Sequence, residues 1–379
     1  MTGAEGLPRV TVKGILLAVV ISLVVGIGLS EVLLRIVTPN WKEFSSARFM
    51  TRVAVPGHKS VVAGLPSFDG YFAQNNGDFR VRFRLNAFGH RNPEPVAAAN
   101  GQIWVIGDSM AFGWGVERDE MYSEILEKRL GGPVYNLASP GTDICGYQAM
   151  VARMPKTIKP RSVVVGLILE NDLRIYDCPI EAAAEAAAEA RAKTTTTDRQ
   201  PRDPDDSDSS GSGFSLLEIK QFATRNFALY NFFAVSLKRV AAVQDFLVGL
   251  NIISKPHAVN RRVAPDQVKA LAISAGDELV RLKAMLPDGT PFHVLIAPTR
   301  FEIRDDTALY RNLRLAVTQT LRARGIFPID PFPAFKAAGF APSHFQHDGH
   351  WSALGHRIAA EAITVRLKLP NPGKRRPNP

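Results

Sequence analysis

Cysteine is scarce in this 379-residue chain: Cys145 and Cys178 are the only two. Neither has a histidine close by in sequence or sits in a recognisable thiol motif, so no catalytic thiol is expected. His344, His347 and His350 recur every third residue, a spacing that invites comparison with a metal site. No cysteine cluster or second carboxylate cluster offers the remaining ligands, and no metal or other cofactor is expected. The formal net charge is +10 and the pI about 9.7, which would suit an anionic partner. No compact basic-aromatic motif for nucleic acid accompanies that charge, and part of it lies in Lys374-Arg375-Arg376, read as a solvated tail. Internal repeats are absent as well.

Long apolar runs are almost absent too, with one exception. From Ile15 to Leu34 the chain is mostly apolar, with a single charge at Glu31 near the far end, and its uncharged part runs to about 17 residues. That is close to the minimum for a bilayer crossing. Arg9 and Lys13 precede it as a signal peptide would require, but no Ala-x-Ala cleavage site follows, and an uncleaved anchor over 15–37 is expected. Counting Arg35, Lys42, Arg48 and Arg52 on the far side opposes an N-in arrangement. A short basic tail abutting the first apolar run acts as a signal-anchor, however, and long following domains translocate largely regardless of charge. The reading is a single-pass membrane protein with its folded part outside the cytoplasm.

Hydrophobic content of 46% and charged content of 22% are ordinary for a globular chain with a sizeable core. Within 38–100, Phe79 to Leu85 alternates with period two and reads as a strand with one basic face, followed by a turn at Asn86-Ala87-Phe88-Gly89. Ile103 to Ile106 is a short buried strand bounded by glycines, and an amphipathic helix starts near Asp119. Further strands are expected at Pro133–Ala138, Ser162–Leu169, Phe292–Ile296 and Ile326–Ile329, with helices over 265–285 and 307–324 between them. Apolar runs alternating with helical patterns predict an α/β fold with a parallel sheet covered on both faces. Residues 181–256 read as an insertion: Glu181–Lys193 helix-prone, 194–213 disordered for want of anything to bury, and Phe214 to Ile253 helical. The division is thus a tail 1–14, an anchor 15–37, an extension 38–100, a domain in two parts (101–180 and 257–368) and a basic tail 369–379.

Ser109 follows the Ile103–Ile106 strand directly, where open α/β sheets gather their ligands. A serine nucleophile needs a base, and the base needs a third group to hold its tautomer. His350, with Asp348 in the same loop, could supply both. Acyl transfer also needs donors facing the oxyanion: the backbone N–H groups of Ser109 and Gly141 and the side-chain amide of Asn171 each follow a predicted strand. Cys145 and Cys178 also follow loops at that edge. A disulfide in an oxidising compartment and two separate thiols both remain open.

Gly107-Asp108-Ser109, Gly141, Asn171-Asp172 and Asp348-x-His350, in that order, resemble the SGNH (GDSL-type) hydrolase superfamily over roughly 100–178 and 290–366. The resemblance implies a flavodoxin-like three-layer α/β/α fold and hydrolysis or transfer of acyl esters. It implies Ser109 as nucleophile, His350 as general base, Asp348 as its orienting acid, and Ser109, Gly141 and Asn171 as the oxyanion hole. Two positions depart from the pattern: Leu169-Glu170 precede Asn171 where Gly-x is usual, and Asp348 stands two residues before His350 rather than three. The shortened spacing and the anchor ending in Ser30-Glu31-Val32-Leu33-Leu34-Arg35 look like the membrane-anchored bacterial branch that includes alginate O-acetylation proteins. A serine esterase acting on acyl, in particular acetyl, esters is expected. The alternatives are an O-acetyltransferase or deacetylase on an exported polysaccharide, and a non-catalytic binding protein on the same scaffold.

Overall fold

The computed structural model describes residues 11–74, 77–197, 216–233 and 265–368. The chain divides into two units: Met1–Arg48 with Ser210–Ile253, and Phe49–Ser209 with Ser254–Pro379.

The first unit contains α1 (Val12–Val37), capped by the Thr11 hydroxyl, which accepts from the Gly14 N–H. This helix is long and apolar enough to cross a membrane, and none of its apolar window is buried.

The second unit opens with two antiparallel hairpins: β1 (Met50–Val55) with β2 (His58–Gly64), then β3 (Asp69–Ala73) with β4 (Arg80–Arg84). The period-two expectation for the last of these holds, with Val81 and Phe83 buried and Arg80, Arg82 and Arg84 exposed. Next comes β5 (Ile103–Gly107), a single-turn helix α2 (Ser109–Phe112), α3 (Tyr122–Leu130) and β6 (Val134–Asn136). Then follow α4 (Ile144–Ala152), β7 (Ser162–Ile168) and α5 (Cys178–Thr197). The two helices α6 (Leu216–Asn226) and α7 (Ala228–Asn231) belong to the first unit. The second unit resumes with α8 (Val268–Ala284), β8 (Phe292–Ala297), α9 (Arg300–Asp305) and α10 (Ala308–Ala323). It ends with β9 (Phe327–Ile329), α11 (Phe332–Ala338), α12 (Phe340–Ser343) and α13 (Ala353–Lys368).

The five later strands form one parallel sheet in the order β6-β5-β7-β8-β9. Each central strand is buried on both sides because its residues alternate between two apolar clusters. Trp104, Ile106, Val163, Val165, Val294 and Ile296 face one cluster, with Tyr147, Leu279 and Val317 from α4, α8 and α10. Ile103, Val105, Val164, Ile168, Leu295 and Ala297 face the other, with Phe112, Leu126 and Ile363 from α2, α3 and α13. The result is the expected α/β/α layering. After β5 the chain steps outward to β6 and then crosses back to β7 on the other side, so the order reverses at β5. That reversal makes the carboxyl ends of β5 and β7 the switch point at which open α/β sheets gather ligands, and Ser109 and Asn171 follow those two strands.

The structure differs from the sequence reading at one element of the insertion. The Ala/Glu-rich helix begins at Cys178 and continues through Thr197, into the stretch expected to be disordered. A disulfide joins Cys145 to Cys178 with Cα atoms 5.2 Å apart, and Glu185 of α5 accepts from the Ser60 N–H of β2 at 3.0 Å. The helix therefore has anchors that no apolar stripe in its own sequence advertised. The expectations for residues 1–10, 198–213, 234–256 and the basic tail 369–379 fall outside the described residues.

Candidate active site

The β5 strand ends in Gly107, where a Cβ would lie 2.6 Å from the Ala111 Cβ and 3.1 Å from the Gly166 carbonyl oxygen. Only a glycine lets the chain turn this tightly against β7. Asp108 then caps α2, its Oδ1 accepting the Met110 N–H at 2.9 Å, and Ser109 opens the helix. The N–H of Ser109, in the first turn, has no intrahelical partner to reach.

The Ser109 Oγ lies 2.7 Å from the His350 Nε2. On the other side of the imidazole, Nδ1 is bonded to the Asp348 carboxylate. Burial by itself would lower the His350 pKa, but the charge and hydrogen bond of Asp348 outweigh it and hold the imidazole above its ordinary value. The loop bearing both residues is closed by a backbone bridge between His344 and Trp351, and by the Phe345 N–H donating to the His350 carbonyl at 2.8 Å. The Trp114 ring lies 5.8 Å from the His350 ring, tilted across it.

Asn171 donates from its side-chain amide to the Asp108 Oδ2 at 3.2 Å. The bond fixes which end of the amide is the donor and leaves its second N–H free to point elsewhere. Burial pushes the Asp108 carboxyl up to about 6, against the pull of the Met110 and Asn171 hydrogen bonds. Asp172 behind it is bonded to the Tyr147 hydroxyl and the Ile168 N–H, each at 2.7 Å, and burial raises its pKa well above the usual carboxylate range. Leu169, standing where the resembled pattern has glycine, is 2% exposed and turns into the cluster beneath the sheet. Gly141 lies in the exposed turn after β6, with φ of +73° and open space where a Cβ would be. That turn runs beside β5, since the Ser139 N–H donates to the Gly107 carbonyl at 3.0 Å. Among the described residues no hydrogen bond joins Gly141 to the Ser109–His350 pair.

The histidines at triplet spacing part company. His344 is buried and bonded to the Ser343 hydroxyl at 2.8 Å, and burial pushes its pKa down to about 3. His347 is bonded to Asp78 at 2.7 Å. Among the described residues no group of histidines, cysteines and carboxylates is placed to hold a metal.

Four residues around the Ser109–His350–Asp348 series are not candidates on sequence alone. Gln74, at the end of β3, is buried and donates from Nε2 to the Asp348 Oδ2 at 2.6 Å. Asp78, before β4, accepts the backbone N–H groups of His347 and Asp348 at 3.1 and 2.8 Å. The β3–β4 hairpin thus grips the Asp348 loop across 274 positions of sequence. Glu170 accepts from Arg300 at both backbone N (2.7 Å) and Nε (2.8 Å). The Arg300 guanidinium also lies over Gly349, where φ is +80° and a Cβ would run into Nη1. No local pattern marks any of the four as a partner of the Asp348 loop.

No family model matches the chain, and no curated protein does. Among solved structures it is similar to a lipolytic protein of the G-D-S-L family from Veillonella parvula, at 12% identity over 71% of this chain and 99% of that one, with a TM-score of 0.37. It is also similar to a family two carbohydrate esterase from Clostridium thermocellum, solved with cellohexaose, at 11% identity over 76% and 67% of the two chains and a TM-score of 0.37. Identities and scores this low leave the reaction to be read from the chain's own residues.

Proposed function

We propose that this chain is a serine esterase of the SGNH type, held at a membrane by α1. The observation that carries the reading is the hydrogen-bonded series Ser109 Oγ, His350, Asp348 at the carboxyl edge of the parallel sheet. In the proposed reaction the Ser109 oxygen attacks the ester carbonyl carbon while His350 Nε2 takes its proton. The oxyanion is met by the N–H groups of Ser109 and Gly141 and by the free N–H of Asn171. Collapse expels the alcohol, which leaves with the proton from His350, and an acyl-serine remains. Water then attacks with the same base, regenerating Ser109 and releasing the acid. Asp348 keeps the imidazole in the tautomer with Nε2 free to accept. Gln74 and Asp78 hold Asp348, and Arg300 with Glu170 ties the neighbouring loops together.

In its finer form the substrate is an acetyl ester, free or on an exported polysaccharide. An oxidising location outside the cytoplasm is supported by the Cys145–Cys178 disulfide. A fluorophosphonate probe and p-nitrophenyl acetate test the core of the reading. The native chain is expected to be labelled at Ser109 and to hydrolyse the ester, and Ser109→Ala to do neither. Equal rates for the two would leave a binding protein. An acetyl donor with and without oligosaccharide separates water from sugar as acceptor.

A further inference from the structure

α1 carries one carboxylate, Glu31, and the structure accounts for both of its oxygens. Oε1 accepts the N–H of Ala228 at 2.9 Å and Oε2 that of Leu229 at 2.8 Å, so Glu31 caps the start of α7. Arg35, one turn further along α1, pairs with Glu31 at 2.7 Å and donates to the Asn226 carbonyl at 2.8 Å, at the end of α6. The helix pair is therefore fixed to one level of α1, between residues 31 and 35. An α-helix rises about 1.5 Å per residue and a hydrocarbon core is roughly 30 Å thick, so about 20 residues cross it. Counted from Gly14, that crossing ends within the Glu31–Arg35 turn.

At that level the helix pair exposes what a water-facing helix would hide. Ile219 and Phe222, three residues apart on one face of α6, are exposed, as are Phe227, Phe232 and Phe233, over a range of 37% to 61%. Phe222 and Phe227 meet edge to face at 6.1 Å, as do Phe232 and Phe233 at 5.6 Å. The inner positions of α7, Ala228 and Asn231, are by contrast buried at 1%. The aromatic patch is thus the outer side of a packed element. Cations accompany it in the same unit: Arg35 and Lys42 each lie 5.5 Å from the Trp41 ring, and Arg225 donates to the Ala47 carbonyl. Exposed aromatics accompanied by cations are the features of a helix lying in the headgroup boundary.

We infer that α6 and α7 form a collar that lies in the membrane interface around the exit of α1, seating its phenylalanines among the upper acyl chains. The inference rests on the membrane-anchor reading of α1 and adds a second, peripheral contact with lipid. Its occupant is the bilayer because the patch is locked to α1, the one helix among the described residues long and apolar enough to cross it.

The test uses the full chain in vesicles of phosphatidylcholine with some anionic lipid, with an environment-sensitive dye on a single introduced thiol. The native cysteines are paired and do not compete for it. Dye is placed at Phe222→Cys, at Phe233→Cys, and at Val24→Cys within α1. Lipids brominated either high on the acyl chain or near its end serve as quenchers. Dye at 222 and 233 is expected to lose most of its emission to the high-brominated lipid and little to the deep one, and dye at 24 the reverse. Quenching at 24 with none at 222 and 233 overturns the collar and leaves the anchor standing, whether the patch is then covered by a second copy or by nothing. No quenching at 24 overturns the anchor and the collar together.

Discussion

Gln74→Leu removes the hydrogen bond from Gln74 to Asp348, on the side of that carboxylate away from His350. The Gln74 amide donates to the Asp348 oxygen that does not face His350, at 2.6 Å and away from solvent. A hydrogen bond to a charged group contributes about 1.5–3 kcal/mol. Losing it should show as a fall in kcat of roughly 10- to 100-fold, since about 1.4 kcal/mol is a factor of ten in rate. KM should move little, because Gln74 sits behind the triad. The assay is steady-state hydrolysis of p-nitrophenyl acetate, with the thermal midpoint of each variant measured beside it to show that it is folded. Gln74→Glu sharpens the test. Two carboxylates at this distance cannot both ionise readily, so one takes up a proton with a raised pKa. While the pair shares that proton the variant keeps its grip on Asp348; as pH rises through the raised value, repulsion pushes the loop apart and activity falls. A folded Gln74→Leu with native kcat, or a loss confined to KM, would refute the claim that the hairpin positions the acid.

Because Asp348 holds His350 above its ordinary pKa, and only the neutral imidazole serves as base, kcat/KM should rise with pH through an inflection above that of a free histidine. Asp348→Asn removes the stabilising charge and should shift the inflection downward; an unmoved inflection in the pH profile would separate Asp348 from the base. Gly349→Ala forces a side chain onto a left-handed backbone and against Arg300, at a cost of about 1–3 kcal/mol, read as a lower thermal midpoint together with a lower kcat. Replacing Cys145 and Cys178 by serine opens a loop of 33 residues, and chain entropy then predicts a loss of about 4 kcal/mol in denaturant unfolding.

Much of the fold lay open in the residues themselves. The strands from Ile103, Ser162 and Phe292 are short, largely apolar runs in which Ser162 and His293 are the polar residues, and such runs bury wherever the chain goes. The placing of Ser109 and Asn171 at one edge was legible for a related reason: each lies in the connection after a strand, and a parallel sheet brings strand ends together. His350 was legible through its own loop, with Asp348 two residues away. The grip on that loop was not. Gln74 and Asp78 lie in the turn of an ordinary-looking hairpin, and their meaning appears only when the hairpin comes to rest on a loop far along the chain. Glu170 and Arg300 likewise become partners only because β7 and β8 are neighbours. Leu169 looked like a defect in the sequence pattern and has a place in the core. The pairing of Cys145 with Cys178 was left open by the sequence and decided by the distance between α4 and the start of α5. Periodicity and hydrophobicity act over a few neighbours and can be read along the chain. Hydrogen bonds and charges between remote loops depend on distances that exist only after the sheet has formed.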